Sequence, residues 1–195
     1  MPAITLHLAR HGESTWNAEG RIQGQQDAEL SVCGERQAVE LADTLAELPI
    51  RTIIASDLAR ARATAEPVAR RLGLPVVLEP RLRERHFGTA ERRLHMDVEA
   101  EFEGERPWWT STDFAFEGGE SIRDHYARVA SYLLVLLDDP PPGDILLVSH
   151  GGTVRVARAF LTGRGADEVD RDAIGNCNVT TLTVDSDAFK RAAIG

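Results

Sequence analysis

The chain has 195 residues, 43% hydrophobic and 27% charged, which is the profile of a globular protein with one domain (1–195) and a layered core. Its formal net charge of −9 excludes a basic footprint for nucleic acid, so an anionic substrate would have to be drawn by a local group of cations. No apolar run reaches the ~18–20 residues of a membrane span, and "MPAITLHLARHG" has neither a basic leader nor a small-residue cleavage site, so the chain reads as cytoplasmic.

In chain order, "AITLHLA" (3–9) predicts a strand, and it runs straight into "RHGESTWNAEG". Apolar residues at helical spacing predict a helix over 38–48, "AVELADTLAEL". A second strand is expected at "RTIIAS" (51–56), then a helix over 60–73 closed by Gly73, with Pro67 expected to kink or break it. "PVVLE" (75–79) predicts a third strand. Residues 83–120 then break the rhythm, being charged, aromatic and too long for a plain connection, and are expected to form an inserted cap over a site. A long helix (121–137) ends in the loop "DDPPPGD". "ILLVSH" (145–150) reads as a strand buried on both faces, followed by a helix over 153–163 and an alternating strand over 178–185. The β-α-β-α order implies a three-layer α/β/α sandwich, a mostly parallel central sheet with helices on both faces. Cys33 and Cys177, far apart and in no metal or redox spacing, are expected as buried free thiols.

Ligands of open α/β sheets bind beyond the carboxyl ends of the parallel strands. There the sequence places Arg10 and His11, then Ser56-Asp57 with Arg60 just beyond, then Glu84, then His150 with Gly151-Gly152. Alone, each has an ordinary explanation: a hydrogen-bonded structural histidine, an arginine facing solvent like Arg62, Arg70 and Arg71, a surface ion pair at Glu84, a turn at "HGG". Two imidazoles, two guanidinium groups and a carboxylate at one sheet edge together make a phosphate site with acid–base capacity.

"RHGESTWN" (10–17) resembles the signature of the histidine phosphatase superfamily, also called phosphoglycerate mutase-like. "GRIQGQQDAELSVCGERQA" (20–38), "SDLARARATA" (56–65), "LRERHFG" (82–88), "GGES" (118–121) and "VSHGG" (148–152) are similar to further family motifs in the family's order. The resemblance implies that His11 is the nucleophile and forms a phosphohistidine, and that Arg10, Arg60 and His150 clamp the phosphoryl oxygens. These three, as neighbouring cations, would help to keep His11 deprotonated. By the same resemblance Glu84 is the general acid, Asn17 an amide donor to the same oxygens, and Gln23, Gly24 and Gly151 substrate-binding positions. Asn17 has a second expected role as a helix or turn cap. No metal and no cofactor are expected.

The branch of the family is read from departures. "ERHFG" (84–88) resembles the mutase "ERHYG", but Gly152 stands where mutases carry an Asn, and His95 where the mutase lysine would fall. "ERPWWTS" (105–111) is the nearest text to the mutase Trp-Arg-Arg. A phosphomonoesterase acting on a small phosphorylated metabolite, a sugar phosphate or phospho-organic acid, is therefore expected. A cofactor-dependent phosphoglycerate mutase and a non-catalytic phosphate-binding regulatory module are the alternatives. Trp108 and Trp109 have two readings, stacking on a sugar or aromatic leaving group or filling the cap's own core with Phe102, Phe114 or Phe116, and the second is expected for at least one of them. Arg83, Arg85, Arg92 and Arg93 likewise have two, contact with a second anionic group or a solvated face, and the solvated face is expected for most. The partners expected are a small phosphomonoester, no nucleic acid and no membrane, with a homodimer left open.

Overall fold

The short apolar runs pair with one another because only a sheet lets them bury both faces and satisfy their backbone groups. In the computed structural model, which describes residues 3–185, they form β1 (Ile4–Arg10), β2 (Ile50–Ala55), β3 (Val76–Leu78), β4 (Asp144–Ser149) and β5 (Val179–Val184). Residues 1–2 and 186–195 of the expected domain lie outside the described residues. The strand order is β3-β2-β4-β1-β5, parallel throughout except for β5, which runs antiparallel to β1 from Ile4↔Val184 to Ala9↔Val179.

Among the described residues seven α-helices accompany them: α1 (Thr15–Ala18), α2 (Val32–Leu45), α3 (Ala59–Leu72), α4 (His95–Glu101), α5 (Pro107–Thr110), α6 (Ile122–Asp138) and α7 (Gly151–Leu161). The period of two along the strands divides the core. Ile145 and Leu147 pack with Leu6 and Leu8 against α6 and α7, whereas Leu146 and Val148 pack with Ala9, Ile53 and Ala55 against α2 and α3. This is the expected three-layer α/β/α arrangement.

Two local expectations need correction. The helix expected from 38 already begins at Val32, because the Ser31 hydroxyl caps it by accepting the Gly34 N–H at 3.0 Å. Pro67 does not break α3, which continues through it to Leu72 and ends on Gly73 in the left-handed conformation. Proline removes only one N–H, and the buried face of Ala61, Ala65, Val68 and Ala69 holds the helix on the sheet.

The segment 83–120 folds into short pieces around a small core of its own. Ala90, Val98 and Trp108 are buried there with Ile22, surrounded by Phe87, Phe102, Trp109, Phe114 and Phe116. Phe102 meets Trp108, Phe114 and Phe116 edge to face, with ring centroids 5.4–6.1 Å apart. Trp108 is thus the tryptophan that fills the cap core.

Candidate active site

His11 leaves the end of β1 on a turn that is anchored from several sides. Its backbone N–H donates to Ser149 O at 2.8 Å, and its carbonyl accepts from Asn176 Nδ2 at 2.9 Å. Gly12 donates to Thr64 Oγ1 at 2.9 Å, and a Cβ at Gly12 would come 2.6 Å from the Gly34 carbonyl oxygen. Only glycine lets the turn lie this close to the start of α2.

The ring of His11 has one defined tautomer. Nδ1 lies 2.6 Å from Gly12 O, an acceptor, so Nδ1 carries the proton and Nε2 keeps its lone pair. Nε2 in turn accepts from Arg60 Nε at 3.3 Å. Burial first, then the Arg60 and Arg10 charges, push the His11 pKa well below 6.5, against the opposing pull of the Gly12 bond. The imidazole is therefore neutral, with its unprotonated nitrogen turned toward the Arg60 guanidinium.

Arg60, at 1% exposure, is the counterexample to its helix neighbours Arg62, Arg70 and Arg71, which face solvent. It donates from Nη1 to Gln26 O and from Nη2 to Gly24 O, both at 2.8 Å. Burial lowers its pKa to about 10, opposed by Glu84, Asp27 and Glu91, so it stays a cation at neutral pH. Arg10 donates from Nη1 to Ile174 O, while its Nε is buried with no partner.

His150 caps the turn between β4 and α7, its ring 5.2 Å from that of His11. Nε2 bonds Ser56 Oγ at 2.8 Å and Nδ1 is buried without a partner. The expectation that His150 acts as a cation beside His11 needs correction. Burial, followed by Arg60 and His11, holds its pKa well below 6.5, so it is a neutral group. His125, which also lines the pocket, is likewise buried with its pKa held well below 6.5, and its Nε2 bonds Thr153 Oγ1 at 3.0 Å.

Glu84 makes no ion pair with a side chain among the described residues. Its Oε1 accepts from Arg85 N at 2.8 Å and its Oε2 from Gly152 N at 2.9 Å, at the first turn of α7. A Cβ at Gly152 would fall 2.2 Å from Glu84 Oε1, so the missing side chain at 152 is what leaves room for the carboxylate.

Arg10, His11, Asn17, Gln23, Gly24, Arg60, Glu84 and Gly151 all line one pocket of about 560 Å³. His150 lies buried just behind it. Asn17 fulfils its capping role, since Oδ1 accepts from Ser14 N at 3.1 Å while Asn17 N donates to Ser14 Oγ, and it also faces the pocket. Gln23 is tied to Ser14 Oγ at 2.7 Å. His95 and Trp109 line the pocket as well.

The cap arginines divide. Arg83 pairs with Asp57, Arg93 with Glu101, and Arg92 bonds Gln26 on the surface. Arg85 departs from the solvated face expected for most of them, being 5% exposed and inside the pocket. The sequence placed Ser56 at a strand end without its bond to His150, and sequence reasoning missed Thr64 as a support and Arg155 and Arg171 as pocket residues. Cys33 and Cys177 are free, but both are half-buried instead of buried, because they lie on the flank of α2 and on the loop before β5. Among the described residues no group of three or more His, Cys, Asp or Glu side chains could hold a metal ion, and no helix is long and apolar enough to cross a membrane.

Residues 6–194 match the sequence profile of the histidine phosphatase superfamily (branch 1). The chain is 41% identical over 185 residues to the "Probable phosphoglycerate mutase GpmB" of Cronobacter sakazakii, covering 92% of this chain and 84% of that one. It is 37% identical over 184 residues to the protein of the same name from Escherichia fergusonii, with the same coverage of 92% and 84%. Among solved structures, mycobacterial glucosyl-3-phosphoglycerate phosphatase in complex with VO3 superposes with a TM-score of 0.86 at 35% identity over 92% of each chain. The alpha-ribazole phosphatase of Shigella flexneri gives a TM-score of 0.81 at 29% identity, over 91% of this chain and 89% of that one.

Proposed function

The chain belongs to the histidine phosphatase superfamily, and from that premise we propose that it is a phosphomonoesterase that cleaves a small phosphorylated metabolite through a phosphohistidine at His11. The observation that carries this reading is the His11 tautomer: a neutral ring, Nδ1–H on Gly12 O, Nε2 bare and facing Arg60. Nε2 attacks phosphorus as the P–O bond breaks, and the leaving oxygen takes a proton from Glu84. Arg10, Arg60 and His150 stabilise the charge on the phosphoryl oxygens. Water then attacks the phosphohistidine, giving its proton to the Glu84 carboxylate, and inorganic phosphate leaves with His11 restored.

Hydrolysis over mutase transfer is supported by position 152. A substrate-contacting side chain there would collide with Glu84 as it now stands, and the pocket offers the half-open Glu84 to water. The mutase reading is favoured by the name of the relatives at 41% and 37% identity. The test measures phosphate release and phosphoglycerate interconversion side by side, with EDTA and without. Metal-independent release faster than interconversion is expected. Interconversion that outruns release and requires a bisphosphate would overturn the reading in favour of the mutase.

A further inference from the structure

Glu84 stands on a stretch of chain that no ladder supports. Residues 84–87 belong to no helix or strand, so the main-chain carbonyls around Glu84 have to find partners among side chains. Ser149 Oγ, at the end of β4, donates to Leu82 O at 2.6 Å, and Thr153 Oγ1, in the first turn of α7, donates to Arg83 O at 2.9 Å. Gln25 Nε2 donates to Glu84 O at 3.2 Å. Arg128, from the middle of α6, reaches furthest along the stretch. Its Nη1 donates to Arg81 O at 2.9 Å and to Arg83 O at 3.0 Å, and its Nη2 to Glu84 O at 3.0 Å.

The rest of that guanidinium is held by one carboxylate. Nε donates to Glu120 Oε1 and Nη2 to Glu120 Oε2, both at 2.7 Å. Glu120 in turn grips the far side of Glu84: its Oε2 accepts from His86 N at 3.0 Å, and its own N–H donates to His86 O at 2.8 Å. A guanidinium has five N–H donors in a rigid planar fork, and here each has an acceptor that belongs to this stretch or to Glu120. The two side chains are 20% and 21% exposed, so the pair is not one of the solvent-screened surface pairs that contribute little. Residues 118–121 do not line the pocket around His11, which leaves Glu120 a role other than contact with substrate.

We propose that Arg128, locked by Glu120, is a positioning residue that sets where the Glu84 carboxylate stands relative to His11. This rests on the phosphomonoesterase reading, in which Glu84 gives a proton to the leaving oxygen, and it deepens that reading. The bond from Gly152 N to Glu84 Oε2 spans from α7 to this stretch, so it holds only while the main chain at 84 keeps its place. Proton transfer needs the carboxyl within hydrogen-bond reach of the leaving oxygen, and a small shift of the main chain is felt in the rate. Without Arg128, the carbonyl of Glu84 would fall back on the longer bond from Gln25.

The test separates position from fold by the choice of leaving group. Arg128→Lys keeps the charge and the pairing with Glu120, but one ammonium cannot span three carbonyls. In single-turnover bursts it should slow phosphoenzyme formation from glycerol 3-phosphate by about tenfold or more, and from p-nitrophenyl phosphate, which needs no proton, by less than about twofold. In a Glu84→Gln background the same change should slow neither substrate by more than about twofold, because the two changes act through one group. Glu120→Gln leaves the three carbonyl bonds and loosens their lock. It should give the same selectivity at smaller size, and it serves as the test protein where Arg128→Lys does not fold. The Gly152 amide proton reports on Glu84 without turnover, and its NMR signal should move in Arg128→Lys in the direction it moves in Glu84→Gln. Equal slowing of both substrates, a loss that persists in the Glu84→Gln background, or an unmoved Gly152 signal overturns the positioning role alone. A Gly152 signal that moves as expected in a protein whose wild type hydrolyses neither substrate supports the positioning and overturns the phosphomonoesterase reading instead.

Discussion

The pocket has two walls made in different ways. At the strand ends each chemical group is held by directional bonds to the main chain: His11 to Gly12 O, Arg60 to the carbonyls of Gly24 and Gln26, Arg10 to Ile174 O, and Glu84 to two N–H groups. Across from them the cap presents Phe87, Trp108 and Trp109, backed by Phe102, Phe114 and Phe116 packed ring on ring, a non-directional contact. The difference follows from what each wall has to do. In the phosphomonoesterase reading, attack on phosphorus would fail with small errors of position, which suits groups held on rigid strands and helix starts. Ring packing is satisfied over a range of positions and asks for no such precision.

The largest effect should come from the strand-end wall. His11→Ala should lose turnover by a factor on the order of 10⁴ or more and form no acid-labile, base-stable phosphoenzyme. A covalent phosphate mapped to Ser14 or Thr15 would remove His11 from the role of nucleophile.

Glu84 joins the two walls, and its contribution should depend on the leaving group. Glu84→Gln should slow phosphoenzyme formation from an alkyl phosphate by roughly 10²–10⁴-fold, the usual contribution of a positioned proton transfer. Formation from p-nitrophenyl phosphate, whose leaving group departs without a proton, should suffer far less in a single-turnover burst. Equal losses would make Glu84 a positioning residue only.

The cap wall should respond in stability first. Val98, fully buried in the aromatic core, loses two carbons in Val98→Ala, at a cost of about 2 kcal/mol in transfer and cavity terms. Hydrogen exchange should locate that loss in residues 83–120 while β1 and β4 keep their protection. Uniform loss across the molecule would mean that the two walls unfold as one unit.

The last expected effect concerns pH. His11, His125 and His150 have folded pKa values below the unfolded 6.5, so the unfolded chain takes up protons first as pH falls. Their contribution is complete above about pH 6.5 and is lost below it, at up to about 1.4 kcal/mol per pH unit for each ring. In phosphate-free buffer Tm should fall from pH 7 to pH 5, and less so with vanadate bound. A flat profile would contradict neutral buried rings.

How much of this was legible in the sequence follows the same division. Arg10, His11 and His150 sit directly after apolar runs, so strand ends alone bring them together, and Arg60 and Glu84 follow within a few residues of two more. The aromatic wall was visible only as an irregular stretch. Helix α5, with 4 residues, and α4, with 7, are too short to carry a period that reads as a buried face. Arg155 looked like any charge on a helix, and Arg171 like a loop residue. Nothing local foretells that Trp109, from a different segment, lies under the one, or that the other opens into the same pocket.

The strand order also bears on how the protein is made. β1 pairs only with β4 and β5, the last two strands of the sheet to be synthesised, and His11 is fastened by Ser149 and Asn176 from that same late stretch. A ribosome therefore releases β1 well before the strands that flank it, so β1 waits, apolar and unpaired, while the residues up to β4 are made. The site around His11 should then assemble abruptly once β4 and β5 have emerged, and the waiting strand is the segment for which a chaperone would compete.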